Sequence, residues 1–380
     1  MKIVIAPDSF KESLTALEVA NAIEKGFQEI YPDATYIKIP MADGGEGTVQ
    51  SLVDATDGQI IKKQVIGPLG HPVEAFFGVL GNGKTAVIEM AAASGLHLVP
   101  QADRNPLITT TWGTGELILA ALDYKVEHII IGIGGSATND GGAGMAQALG
   151  AKLLDDKGEQ IGYGGGSLNQ LVSIDLSALD PRLQQVKIEV ACDVNNPLVG
   201  PTGAAAIYGP QKGATPEMVN LLDRNLTHYA EIIKKDLSKD VIDIPGAGAA
   251  GGLGAGLLAF LSAELKRGVD IVIAATQLEK HMNKADLVIT GEGKIDNQTI
   301  HGKTPIGVAK TAKKLNIPVI GIAGSVSTDS HIVHQHGIDA LFSVVPGVIS
   351  LHDAFEGASN YVYQTARNVA AVWRVSKKEI

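Results

Sequence analysis

Several polar stretches carry side chains suited to chemistry on an anionic substrate. In GEGKIDNQTIHGKT (291–304) the acidic Glu292 and Asp296 alternate with Lys294 and Lys303. Carboxylates at this spacing suit a hydrated Mg²⁺, which takes one or two carboxylates plus substrate phosphates, while ammonium groups meet phosphate or carboxylate charge. PDSFKES (7–13) offers Asp8, Ser9 and Lys11. MADGGEGT (41–48) sets Asp43 and Glu46 around Gly44, Gly45 and Gly47. Asp43 and Glu46 fit a capping box, but the flanking glycines suit close backbone approach to a ligand. CDVNNPL (192–198) adds Asp193 and Asn195, and IGIGGSATNDGGAG (131–144) adds Gly134, Gly135, Ser136, Asn139 and Asp140. Bare N–H groups and hydroxyls ahead of an expected helix, with Asn139 or Asp140 as its cap, make a site for phosphate.

Other patterns are weaker on inspection. GIGGSA (132–137) followed by Asp155 satisfies the dinucleotide fingerprint, yet TNDGG intervenes where the helix of that motif opens. GVLGNGKT (78–85) satisfies the P-loop pattern, yet TAVIEMA follows with strand composition and Asn82-Gly83 signals a hairpin turn. His331, His334 and His336 lack accompanying ligand groups and read as a solvated face. Cys192 is the one cysteine, with no histidine near it in sequence, so it reads as a small buried residue in a reducing compartment.

The elements that must position these loops alternate. KIVIA (2–6) precedes Ala16, Ala20, Ile23, Phe27 and Ile30 at helical spacing, with Thr15 and Glu18 as a capping box. TYIKI (35–39) leads to a helix near 47–56. VDIVIAA, ADLVITG, IPVIGIAG and ALFSVVP alternate with helical runs at 303–315 and 352–374, the rhythm of a parallel sheet covered on both faces. Between these halves, VEAFFGVL and TAVIEMA flank a turn and EHIIIGI follows. The expected fold is α/β with two domains and a cleft between them. A discontinuous Rossmann-like α/β/α domain covers 1–65 and 251–380, and a mixed-sheet α/β domain covers 66–250. The 380 residues and 45% hydrophobic content suffice for both cores. A net charge of −10 argues against nucleic-acid or anionic-membrane partners. The uncharged stretch 244–263 is too rich in Gly and Ala to span a bilayer and reads as a glycine loop entering a buried helix. MKIVIAPDS does not resemble a secretory signal, so the cytoplasm is expected.

PDSFKESL, ADGGEGT, GTGEL (113–117), GGSATNDGG, CDVNNPL, GAGAAGGLGAGL and TGEGKIDNQT occur in this order over nearly the whole chain, which resembles the bacterial type I glycerate kinases. The resemblance implies phosphorylation of D-glycerate by ATP with Mg²⁺, in the breakdown of glyoxylate or aldaric acids. Enteric relatives yield 2-phosphoglycerate; the 3-phosphate product and, more remotely, a nicotinamide-dependent dehydrogenase are the alternatives. Phosphoryl transfer rests on positioning, charge neutralisation and orientation of the acceptor hydroxyl. Those demands assign Gly134, Gly135, Ser136, Asn139, Asp140, Lys294 and Lys303 to the nucleotide, and Glu292 and Asp296 to Mg²⁺. Ser9, Lys11, Gly44, Gly45, Glu46 and Asn195 are assigned to glycerate. Asp193 is expected to accept the hydroxyl proton, with Asp43 next and Lys11 assisting at the reacting group. Oligomeric state is left open.

Overall fold

Strands buried on both faces show continuous apolar runs instead of alternation, and KIVI, LVIT and VIGIA are such runs. In the computed structural model, which describes residues 1–376, they form the middle of one sheet. The chain divides into two compact units. Unit one comprises 1–43, 50–57 and the chain from Val269 onward; unit two comprises 44–49 and 58–268.

Unit one holds a parallel sheet of β1 (Lys2–Ile5), β2 (Thr35–Lys38), β11 (Leu287–Thr290), β13 (Val319–Ala323) and β15 (Ala340–Ser343), in the order β15-β13-β11-β1-β2. Ile3 lies opposite Leu287 on one side and Tyr36 on the other. Helix Ala16–Gln28 opens with the expected capping box, the Thr15 hydroxyl accepting from the Glu18 N–H and the Glu18 carboxylate from the Thr15 N–H. Its buried face, Val19, Ile23 and Phe27, packs with Val362, Ala366 and Val369 of helix Ala358–Ser376 and with Ile3 and Ile5. Each such buried large side chain contributes about 1.5–3 kcal/mol. A small parallel pair, β12 (Lys294–Ile295) with β14 (Ser325–Val326), ties two loops of this unit together.

Unit two holds a six-stranded mixed sheet of β3 (Gln59–Ile66), β4 (Pro72–Val79), β5 (Thr85–Glu89), β6 (His128–Gly132), β9 (Lys187–Ala191) and β10 (Glu264–Lys266), ordered β10-β9-β6-β5-β4-β3. β3, β4 and β5 run antiparallel and the rest parallel. A short antiparallel pair joins β7 (Lys152–Leu154) to β8 (Ser173–Asp175). The edges of this unit differ from the expected 66 and 250. β3 pairs with β4 from Gln59↔Val79 to Ile66↔Pro72, which draws 59–65 into unit two. Helix Ala249–Leu261 and β10, paired with β9, carry the other edge to Gly268.

The P-loop pattern is a turn between antiparallel β4 and β5, where the Asn82 side chain accepts from the Lys84 and Thr85 N–H groups. Asp155 likewise closes its own turn, accepting from Lys157 and Glu159. Among the described residues no helix is long and apolar enough to cross a membrane. The glycine-rich stretch at 248–256 has a different purpose. Ala250, Gly251 and Gly252 take left-handed backbone conformations, and a Cβ at Gly251 would lie 1.9 Å from the Thr138 carbonyl oxygen. Two glycine-rich motifs therefore pack on each other, with the Gly141 N–H donating to Gly251 O at 3.1 Å.

Asp140 organises that contact. Its fully buried carboxylate accepts from Thr111 N (2.8 Å), Thr111 Oγ1 (2.8 Å), Gly142 N (3.2 Å) and Gly144 N (3.3 Å). Nearby, the buried Lys212 ammonium donates to Thr138 O at 2.6 Å, and burial pulls its pKa down to about 7. Asp140→Ala strands the three N–H groups in the interior and is expected to destabilise unit two by about 3–5 kcal/mol. Urea denaturation checks this against Lys62→Ala, which breaks only the exposed pair with Glu74 and should cost under about 1 kcal/mol.

Candidate active site

In unit one the chain leaves β1 toward β2 on one side and β11 toward β13 and β15 on the other. The switch point of this open parallel sheet thus falls between β1 and β11, where ligands bind outside the carboxyl ends of the strands. The two following loops are joined there, the Asp8 N–H donating to Gly291 O at 2.8 Å and the Thr290 hydroxyl to Ala6 O at 2.8 Å. Above the strand ends lies a cavity of about 430 Å³ whose charged lining is Asp8, Lys11, Glu12, Asp43, Glu292, Lys294 and Lys303. Ser9 lines it too.

Asp8, which PDSFKES offers without an assigned role, is the most completely enclosed of these carboxylates. Its Oδ1 accepts from Ser9 N at 2.7 Å and Ser9 Oγ at 3.3 Å, and its Oδ2 from Thr304 Oγ1 at 2.6 Å. Burial first, then the like charges of Asp43 and Glu292, outweigh these bonds and raise its pKa to about 7. No spacing in PDSFKES announces this, because the burial and the two neighbouring carboxylates come from other segments. Glu292 is buried as well, and its pKa is raised by burial although the Thr299 hydroxyl (2.6 Å) and Lys303 (3.2 Å) oppose that shift. Asp296 is absent from the cavity lining: its carboxylate faces Lys294 at 3.2 Å and accepts the Gln298 N–H at 2.9 Å. The carboxylates beside Glu292 are instead Asp8 and Asp43. Their all-oxygen donor set suits Mg²⁺, which needs only one or two protein carboxylates. Among the described residues no group of three or more His, Cys, Asp or Glu is disposed to hold a metal alone.

In unit two the glycine loop is filled from within. The helix after it, Ala143–Ala148, has only six residues, and the Asp140 carboxylate already occupies its N-terminal donors. Asn139 and Asp140 are fully buried and Ser136 nearly so, while Gly134 and Gly135 form an exposed tip. That tip is held at its base, Leu96 N donating to Gly135 O and Ala137 N to Ser94 O. The ADGGEGT loop shows the same device. Glu89 at the end of β5 accepts the Val49 N–H at 2.8 Å and those of Gly47 and Thr48, filling the N-terminus of helix Thr48–Thr56 in place of an Asp43–Glu46 capping box. Burial raises the Glu89 pKa against those three bonds. Gly44 is required by packing, since a Cβ there would lie 2.6 Å from the Ala191 Cβ; Gly45 is half-buried and Glu46 exposed. Asp193 and Asn195 are exposed after β9, with the Asp193 carboxylate accepting the Gly268 N–H at 3.1 Å. The Cys192 thiol is pushed up by burial and donates to Val194 O, so it packs rather than reacts.

A parallel α/β unit with acidic and basic side chains gathered at its switch point belongs to an enzyme that handles a charged small molecule. Comparison with known proteins narrows the class. The sequence profile of the glycerate kinase family matches residues 3–374. The chain is 66% identical to glycerate kinase of Bacillus subtilis (strain 168), covering 99% of each, and 62% identical to glycerate 2-kinase of Escherichia coli (strain K12), covering 100% of this chain and 99% of the other. A crystal structure assigned to a glycerate kinase 2 from Salmonella typhimurium LT2 superimposes with a TM-score of 0.93 at 62% identity, covering 99% of each chain. The protein belongs to the glycerate kinase family. It is a kinase, a class for which ATP is the implied phosphoryl donor.

Because the folded protein holds the Asp8 proton more tightly than the unfolded chain, the stability this group provides is complete below its ordinary pKa of 3.8 and is lost as pH rises through about 7. Asp8→Asn removes that loss. Its stability margin over the parent protein is expected to grow from pH 4 to pH 8, by on the order of 4 kcal/mol at most. Unfolding curves at the two pH values measure it, and a margin independent of pH would refute the raised carboxyl.

Proposed function

We propose that the protein transfers the γ-phosphoryl group of ATP to the 2-hydroxyl of D-glycerate, giving 2-phosphoglycerate and ADP, in cytoplasmic catabolism of organic acids such as glyoxylate and the aldarates. The family and the 62% identity to a glycerate 2-kinase support the reaction. The observation that carries the mechanism is the convergence of Asp8, Asp43 and Glu292 with Lys11, Lys294 and Lys303 on one cavity.

In this reading Lys11, Lys294 and Lys303 neutralise triphosphate and glycerate carboxylate charge as point cations. Asp43 and Glu292 would hold Mg²⁺, which when bound neutralises charge on the transferring phosphoryl group. Asp8 receives the proton of the 2-hydroxyl as that oxygen bonds to the γ-phosphorus and the bond to the bridging oxygen of ADP breaks. A carboxyl with a pKa near neutrality is matched to that transfer. Ser9 and Thr304 orient it through their hydrogen bonds. Asp193 is the candidate the sequence offers for this role. We assign Asp8 because it lines the cavity of unit one, whereas the Asp193 carboxylate holds the Gly268 amide.

Phosphorus NMR of the product from ATP, Mg²⁺ and D-glycerate is expected to show 2-phosphoglycerate, and the 3-phosphate would overturn the regiochemistry. Asp8→Asn is expected to lower kcat by about 10²–10⁴-fold with little change in KM for ATP. Asp193→Asn should stay far closer to the parent rate; the reverse ranking would return the base to Asp193.

A further inference from the structure

The unit-one cavity is lined by apolar as well as charged side chains. Phe10, Val344, Val345, Leu351, Ala354 and Phe355 are among the apolar ones. These come from the loop after β1, from the segment after β15 and from the short helix Leu351–Glu356. Their side chains offer no hydrogen-bonding group. At about 430 Å³ the cavity falls within the roughly 300–1,000 Å³ that holds drug-sized ligands, and a three-carbon acid would leave most of it as water against bare hydrocarbon.

The segment after β15 also leaves apolar surface uncovered. Leu351 is 68% exposed and Val348 fully so, with Phe355 half-buried beside the cavity. Of these, Leu351 and Phe355 line the cavity and offer apolar surface for a ligand to cover. A ligand matched to this lining has anionic groups for the lysines and a flat, weakly polar part for the apolar side chains. Glycerate lacks the second. A nucleoside triphosphate has both.

The helix starts that could hold a triphosphate are already occupied. The donors at the start of helix Ala143–Ala148 are taken by Asp140, and those at the start of helix Thr48–Thr56 by Glu89.

We infer that the apolar wall of the unit-one cavity is the seat of the purine base of ATP, which lies against Phe355, Leu351 and Val344, with the phosphates directed toward Lys11, Lys294 and Lys303. The inference rests on the kinase reading above and adds where the nucleotide is held. Base-to-aromatic contact is the principal attraction, strengthened by burial of the aliphatic side chains.

Calorimetric titration of the intact protein with ADP, and separately with inorganic tripolyphosphate, tests it on Phe355→Ala and Leu351→Ala in the presence of Mg²⁺. Phe355→Ala is expected to weaken ADP by about 5- to 100-fold. Leu351→Ala, at an exposed position that the fold does not need, should weaken it less but measurably. Tripolyphosphate, which has no base, should bind both variants as it binds the parent, and KM for D-glycerate should not move. Unaltered ADP affinity in both variants overturns the inference, as does an equal loss for tripolyphosphate. Either result can arise while D-glycerate is still phosphorylated, which leaves the kinase reading standing. Conversely, a parent protein that binds ADP through this wall but does not phosphorylate glycerate refutes that reading alone.

Discussion

A carboxylate taken out of water must find hydrogen-bond donors, and whether it also faces other carboxylates across a cavity separates scaffold from chemistry in this protein. Asp8, Glu89, Asp140 and Glu292 are all within a tenth of complete burial. Asp140 meets four donors and Glu89 three backbone N–H groups, so both are saturated and both fix the start of a helix. Asp8 meets three donors and Glu292 a hydroxyl and the Lys303 ammonium, yet each also faces a further carboxylate across a cavity. Their demand for further positive charge is the property a phosphoryl-transfer site uses.

Topology decides which carboxylates are left in that state. β1 and β11 are neighbours from opposite ends of the chain, and the connections diverge from them, so their following loops stand over a gap that no crossover helix fills. Asp8 and Glu292 are the charged residues that those loops bring to the gap. The remaining lysines follow in the same loops, which is why one cavity gathers residues some three hundred positions apart.

Much of this was legible in the sequence. Continuous apolar runs marked the parallel strands, and Thr15 with Glu18 marked a helix start that the structure reproduces. Lys11, Asp43, Glu292, Lys294 and Lys303 could be singled out because each lies in a loop after an expected strand. The domain edges were misplaced because β3 has no local feature saying that it pairs forward with β4. The glycine loop is ambiguous for a physical reason. Exposed N–H groups ahead of a helix look the same in sequence whether a phosphate or the chain's own Asp140 fills them. Glu89 was invisible on the same ground, as it caps a helix forty residues earlier in the chain. Asp8 was seen but not chosen, since desolvation is a tertiary property.

The pairing of β1 with β11 also bears on how the polypeptide is made. Ile3 has its partner at Leu287, so during synthesis the first strand leaves the ribosome long before one of its edges can be covered. Most of unit two, residues 58–268, is uninterrupted and is complete by then. The middle of the nascent chain can therefore condense first, while the amino-terminal strands wait with an open edge for the carboxyl-terminal third. Chaperone demand and susceptibility to misassembly are concentrated in that interval.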